Sequence, residues 1–279
     1  MKRVVSIQDI SCLGKCSLTV ALPIISAMGV ETCVVPTAVL STHTGGFKGF
    51  TFHDLTQEVT PISDHWKKEG ITFDAIYTGY LGSFEQIDLV GKFFDDFGGE
   101  NTLVYVDPAM ADHGVLYPGF TPEFAKEMGK LCGKADVIVP NITEASFMLG
   151  IDYVGDDYDE AYIKKLLKDL TGLGCRTAVL TGISFEPGKI GAVAYDSATD
   201  TYSSYFNEKL PIQFHGTGDV FASACVGALM NGMDLTAALK VAVDYTLECM
   251  LETQKDPDAR WYGVNFEAAI PMLVHSLGR

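Results

Sequence analysis

Basic residues are scarce in this chain: 20 Lys and Arg stand against 36 Asp and Glu, for a formal net charge of −16. A surface of that sign repels phosphate backbones, so nucleic acid is not expected as a partner. Long apolar runs are missing as well. None approaches the length that spans a bilayer, and the opening "MKRVVSIQD" turns polar almost at once, unlike a signal peptide. A soluble, cytoplasmic protein without a membrane partner is expected. Cysteines paired as CxxC are also lacking: Cys12, Cys16, Cys33, Cys132, Cys175, Cys225 and Cys249 are scattered. That argues against a zinc site or redox dithiol and for reduced thiols in a core. After "SIQD" there is no GxGxxG of the kind nicotinamide dinucleotides need. "LGKCS" (13–17) imitates the end of a Walker loop, but Asp9 stands where that loop's first glycine belongs, and Cys16 where its metal-binding hydroxyl belongs.

What is present is a globular composition, 47% hydrophobic over 279 residues, enough for one large domain or two small ones. Compact apolar runs at 3–7, 33–37, 73–79, 102–108, 136–141 and 177–182 alternate with helical patterns at about 15–27, 61–69, 84–97, 121–132 and 158–173. Near-continuous apolar strands alternating with helices predict a mostly parallel sheet covered on both faces. Residues 190–206 alternate in polarity around "SATD" and predict an antiparallel hairpin at the sheet edge. Beyond "HGTGD" the chain reads as helical, at about 219–232, 234–254 and 265–275. The expectation is an α/β, three-layer α/β/α sandwich formed by residues 1–279 as a single domain.

In such sheets ligands bind at the carboxyl ends of the strands. Those ends read Gln8-Asp9, Thr78-Gly79-Tyr80, Asp107-Pro108, Pro140-Asn141 and Thr181-Gly182, a polar ring on an apolar sheet. Strand ends are commonly polar, but five together, with two carboxylates and an amide, suggest a site.

The sharpest signal is "HGTGDVFASACVGALMNG" (215–232). Gly216 and Gly218 allow a ligand to approach the backbone closely, and a helix starting near Asp219 aims free N–H groups and its positive dipole end at whatever lies above. Together these form an anion hole suited to phosphate. A carboxylate beside it cannot hold the phosphate, because like charges repel. It can take the proton from a hydroxyl that attacks the phosphate. The alternative is a plain turn with Asp219 as an N-cap. Small residues after it (Ala222, Ser223, Ala224, Gly227, Ala228) predict a helix packed close beneath the turn.

Magnesium needs only one or two carboxylates besides waters and substrate phosphates. Asp107, Asp112 and Glu144, in "DPAMAD" and "PNITEA", offer that supply, although "NITE" also reads as a helix start capped by Asn141. "STHTGGF" (41–47) brings hydroxyls and His43 to a Gly-rich segment that is either a pocket wall or a flexible loop.

"VVSIQD", "TGYLG", "YVDPAMAD", "VPNITEA" and "GTGD" occur in that order and together resemble the vitamin B6 kinases of the ribokinase superfamily, across Ser6 to about Leu251. The resemblance implies ATP-dependent phosphorylation of the 5′-hydroxymethyl group of pyridoxal, pyridoxamine or pyridoxine. It implies Asp219 as general base, with Gly216, Thr217 and Gly218 as the anion hole. Thr44 and Tyr80, with Asp9 and His43, fall to the vitamer. Asp107, Asn141, Glu144, Thr181 and Thr217 fall to ATP, and Asp112 and Glu144 to Mg²⁺. A monovalent cation such as K⁺ and a homodimer belong to the same implication.

The chain departs from the family in reading Asp9 where a Ser is usual in "SIQSH", and "THTG" for "NHTG". "HGTG" also resembles hydroxymethylpyrimidine (phosphate) kinases, which usually follow it with Cys. That enzyme is the alternative, followed by a non-catalytic vitamin- or nucleotide-binding protein, which would have no need of a base.

Overall fold

The computed structural model describes residues 1–278. Packing divides them into two compact units, one of residues 1–75 with 210–278 and one of residues 76–209. The first unit opens with β1 (Arg3–Leu13), α1 (Leu18–Ala27), β2 (Glu31–Thr42), β3 (Phe52–Asp54) and α2 (Thr56–Lys68). The second is entered through β4 (Ala75–Thr78). It contains α3 (Phe84–Phe97), β5 (Leu103–Val106), β6 (Ala111–Asp112), β7 (Val115–Leu116), α4 (Pro122–Cys132), β8 (Val137–Ile138), α5 (Ile142–Leu149), α6 (Glu160–Thr171), β9 (Thr177–Ile183), β10 (Lys189–Asp196) and β11 (Thr201–Glu208). The chain then returns to the first unit as α7 (Thr217–Met230), α8 (Leu235–Lys255) and α9 (Phe266–Ser276).

In the first unit β1 and β2 pair in parallel, and β3 lies antiparallel on the outer side of β2. In the second, the order is β11-β10-β9-β8-β5-β4, with β5, β8 and β9 parallel and the β10–β11 hairpin antiparallel at the edge, as expected. The arrangement is α/β with a mostly parallel mixed sheet. Apolar strands such as β4 and β5 are buried because helices cover them, which is why they read as unbroken apolar runs.

Two expectations need correction, and one strand has no counterpart in the sequence reading. Gln8 and Asp9 do not end a strand: β1 continues to Leu13, still paired with β2 as far as Thr42, because a bulge between Gln8 and Ile10 absorbs an extra residue of β2 and the ladder resumes. β3 went unread because its three residues are all exposed and carry no apolar pattern. The helix expected at 61–69 begins already at Thr56, where the Asp54 carboxylate accepts from the Thr56 N–H.

Helix α7 packs as its small residues require. Val220 through Ala228 are all buried, and a β-carbon on Gly227 would lie 2.1 Å from the Met28 sulfur. Gly227 thus lets α7 approach the α1 end of the unit closely.

Candidate active site

The N-cap of α7 is Gly216, in the left-handed conformation at φ 80°. Glycine is required there twice over, since a β-carbon would also stand 1.9 Å from the Lys15 carbonyl oxygen. Asp219 is therefore the third residue of the helix and not its cap. The Ser17 backbone N–H and the Cys16 thiol lie near its carboxylate and favour its charged form, and α1 packs against α7 here. Burial pushes the Asp219 carboxyl up to about 7; the nearby Asp9 charge adds to the rise, and the Ser17 and Cys16 donors oppose it. A group of that kind can hold or release a proton at neutral pH. Gly218 keeps an ordinary backbone, and a β-carbon on it would meet nothing within 4 Å. Its bare position leaves open space over the helix start. Thr217 lies half-buried, its hydroxyl 3.4 Å from the Phe214 carbonyl.

The Asp9 whose charge Asp219 feels is 3% exposed. The Ser11 hydroxyl donates to it at 2.9 Å, and burial drives its carboxyl upward against the Ser17 and Ser11 hydroxyls, which favour the charged form. Ser17 sits at φ 56°, a conformation that costs on the order of 1–3 kcal/mol in a residue with a side chain. Burial first, then the Asp219 and Asp9 charges, push the Cys16 thiol well up, so it stays protonated. Lys15, the Walker-like lysine, points elsewhere: its ammonium is 3.1 Å from Asn265 Oδ1 and 2.8 Å from Glu267 Oε2. It anchors the start of α9.

The "THTGG" segment is built into an aromatic cluster. His43 is 5% exposed, with Nε2 2.9 Å from the Tyr262 carbonyl and Nδ1 accepting the Gly45 N–H at 3.1 Å. Both ring nitrogens are thus committed to backbone, the proton sits on Nε2, and burial lowers the ring's pKa. The structure gives His43 the task of fixing the loop. Its ring packs 5.1 Å from Phe47 and 5.3 Å from His215, and Phe47 lies 4.6 Å from Trp261. Thr44 is half-buried in the same loop, and Trp261 is 56% exposed.

The second unit collects the remaining residues. Asp107 is buried at the end of β5, its N–H donating to the Thr78 carbonyl at 2.9 Å. Asn141 and Glu144 form the capping box of α5: the Asn141 N–H donates to Glu144 Oε2 at 2.9 Å, and the Glu144 N–H to Asn141 Oδ1 at 2.9 Å. Glu144 Oε1 also accepts the Met110 N–H at 3.1 Å, and Asn141 Nδ2 donates to the Ala111 carbonyl at 2.9 Å. Burial pushes the Glu144 carboxyl up to about 8 against three backbone N–H donors, with the Asp112 charge adding a little. Asp112 is exposed and accepts the His113 N–H. Thr181 lies half-buried beside Pro140, bridged to Asn141, and Tyr80 packs 5.4 Å from the Phe120 ring.

Among the described residues no group of three or more His, Cys, Asp or Glu side chains could hold a metal ion alone. The exposed Asp112 carboxylate, whose charge reaches Glu144, still fits Mg²⁺, which takes most of its oxygens from water and substrate phosphates. No helix among the described residues is long and apolar enough to cross a membrane.

Ser17, Cys16, His215 and Trp261 had no functional reading in the sequence. Ser17 carried one usable signal, a serine directly before an apolar helical pattern. Trp261 carried none.

The chain matches the model of the phosphomethylpyrimidine kinase family over residues 21–259. A Bacteroides thetaiotaomicron protein, provisionally described as a phosphomethylpyrimidine kinase and crystallised with pyridoxal, is 39% identical; the match covers 98% of this chain and 95% of that one, with a TM-score of 0.92. Pyridoxal kinase of Dictyostelium discoideum is 27% identical over 90% of this chain and 86% of its own. Hydroxymethylpyrimidine/phosphomethylpyrimidine kinase of Bacillus subtilis is 28% identical over 78% and 77%. Fold, motif order and family match agree: the chain belongs to the phosphomethylpyrimidine kinase family.

Proposed function

We propose that the protein transfers the γ-phosphoryl group of ATP to the 5′-hydroxymethyl group of pyridoxal, pyridoxamine or pyridoxine. The observation that carries this reading is Asp219, a carboxylate with a proton affinity near neutrality at the bare start of α7. The substrate hydroxyl gives its proton to Asp219 while its oxygen forms a bond to the γ-phosphorus. The bond from that phosphorus to the β–γ bridging oxygen breaks, and ADP departs. The N–H groups at the start of α7 and the open space over Gly218 suit the charge spread over the transferred group. Asp107, Asn141, Glu144 and Thr181 serve the nucleotide, and Thr44 and Tyr80 the flat ring.

Asp112, backed by Glu144, would hold Mg²⁺, which neutralises phosphate charge when bound. K⁺ and a homodimer remain parts of the same reading. The 39%-identical Bacteroides protein crystallised with pyridoxal supports the vitamer as substrate. Hydroxymethylpyrimidine is the second reading, favoured by the family match and by the Bacillus subtilis relative. Asp219, where those enzymes usually carry Cys, weighs against it.

The test is ADP release with Mg-ATP and, in turn, pyridoxal, pyridoxamine, pyridoxine, hydroxymethylpyrimidine and ribose. The B6 vitamers should show the highest kcat/KM. A higher value for hydroxymethylpyrimidine would transfer the assignment to the second reading, and no turnover of any alcohol would refute both.

A further inference from the structure

Trp261 is 56% exposed, yet the segment that carries it is firmly held. Residues 256–265 join α8 to α9 through turns. The Asn265 N–H donates to Thr253 Oγ1 at 2.7 Å and Asn265 Nδ2 to Asp256 Oδ2 at 2.9 Å, which closes the segment on itself. Lys15 Nζ donates to Asn265 Oδ1 at 3.1 Å, and a β-carbon on Gly263 would stand 2.5 Å from the Lys15 β-carbon. The segment therefore runs against the residue whose carbonyl crowds Gly216. In its middle the Tyr262 carbonyl accepts from His43 Nε2 at 2.9 Å. The indole itself lies 4.6 Å from the Phe47 ring and 6.3 Å from the His215 ring. A β-carbon on Gly46 would come within 2.7 Å of Trp261 Cζ3, so that glycine makes room for it. All these residues belong to the first unit. A large apolar ring fixed in place while more than half open to solvent adds little to stability, and it has the character of a preorganised contact surface.

We propose that Trp261 is a specificity-determining residue: its indole gives the flat ring of the alcohol substrate a surface to stack on, beside the start of α7. This rests on the reading of the protein as a kinase of a ring-bearing alcohol. Two observations place the surface. His215, against which the indole packs, directly precedes Gly216, the N-cap of the helix to which phosphoryl transfer is assigned. Gly46 and Phe47, which frame the indole on its other side, belong to the same short segment as Thr44, already assigned to the ring. An aromatic face attracts a heteroaromatic ring in an offset stack and has no such contact to offer a saturated sugar. Adenine is the other flat ring that the reaction brings. The indole's neighbour is the vitamer's segment, and the experiment separates the two. Trp261 lies beyond the family match, which ends at residue 259, and outside every motif that carries the resemblance.

The experiment follows the indole fluorescence of the full chain as pyridoxine, a vitamer without an aldehyde to react with lysine, is added; ADP and ribose are added separately. Trp261→Phe keeps Trp66 as its single indole and so reports any signal that does not come from Trp261. We expect pyridoxine to quench the wild type, ADP alone and ribose to leave it unchanged, and the quench to vanish in Trp261→Phe. In kinetics, Trp261→Ala should raise KM for pyridoxine about tenfold and leave KM for ATP within about twofold, with a much smaller fall in kcat, because stacking is equal in ground and transition states. Trp261→Phe retains a ring and should stay within about threefold of the wild-type KM. Trp261→Leu, apolar but without a ring, takes the place of Trp261→Ala should that variant not fold. An absent quench in the wild type overturns the proposal, and so does an unmoved KM for pyridoxine in a folded ringless variant. Quenching by ADP alone overturns it as well, giving the indole to adenine. A merely structural indole would show itself by losses in both KM values, kcat and melting temperature that Trp261→Phe does not relieve, and that pattern also overturns it. Where the assay favours hydroxymethylpyrimidine, that compound replaces pyridoxine throughout. If the wild-type chain phosphorylates no alcohol, the functional reading fails, and the pyridoxine titration alone decides whether Trp261 meets the ring.

Discussion

A β-carbon on Gly216 would sit 1.9 Å from the Lys15 carbonyl, whereas one on Gly218 would meet nothing within 4 Å. The two glycines of the turn are therefore bare for different reasons, and the same substitution separates them. Gly216→Ala must adopt φ 80° and push against backbone, so a stability loss of about 1–3 kcal/mol is expected in thermal melts. Gly218→Ala adds a methyl to a helical position with ordinary angles and should gain about 0.5–1 kcal/mol. That methyl occupies the space assigned to the phosphoryl group, so kcat and ATP affinity should both fall in a protein that melts no earlier. Retained turnover in Gly218→Ala would remove the phosphoryl group from that space. At this scale the sequence was legible where chemistry is local. Two glycines and an acid within four positions announce a turn over a helix start. The neighbours of that acid were not legible, because Ser17 and Cys16 lie near the other end of the chain and only the packing of α1 on α7 brings them in. His43 is similar: its Nε2 meets Tyr262, 219 positions along the chain.

Among the elements, α5 shows best how a local motif can serve two ends. Its capping box was readable from "NITE", and the structure adds that Glu144 also accepts the Met110 N–H. The side chain thus ties the segment after β5 to the start of α5. Glu144→Ala strands the Met110 and Asn141 N–H groups, at a cost on the order of 1–3 kcal/mol. It should lower the melting temperature and weaken Mg-ATP binding together. Glu144→Gln keeps one acceptor and should recover part of both. If calorimetry finds the Mg-ATP Kd unchanged in a folded Glu144→Ala, the nucleotide is not held on this side of α5. Strand limits were legible only where burial is two-sided. β4, β5 and β9 stand out as apolar runs, while β1 and β2 run past their apolar stretch because backbone pairing continues to Leu13 and Thr42 whatever the side chains.

For the molecule as a whole, a net charge of −16 means that an anionic co-substrate gains nothing from the overall field and must be drawn by local donors. The account therefore rests on the bare start of α7 and on its acid. Because burial raises the Asp219 carboxyl to about 7, kcat should climb as pH rises through that value and the carboxylate forms. Stability should run the other way. An acid whose folded pKa lies above its unfolded value of about 3.9 favours the fold at low pH, and that benefit is lost as pH rises toward 7. The most direct measurement is Asp219→Asn, assayed for kcat, ATP affinity and melting temperature at about pH 8, above the folded midpoint. The account predicts a kcat lower by about 10²–10⁴-fold, nearly unchanged ATP affinity, and a melting temperature equal to or above that of the wild type. A folded Asp219→Asn protein that keeps kcat within about threefold, far short of the loss expected for a general base, would contradict it.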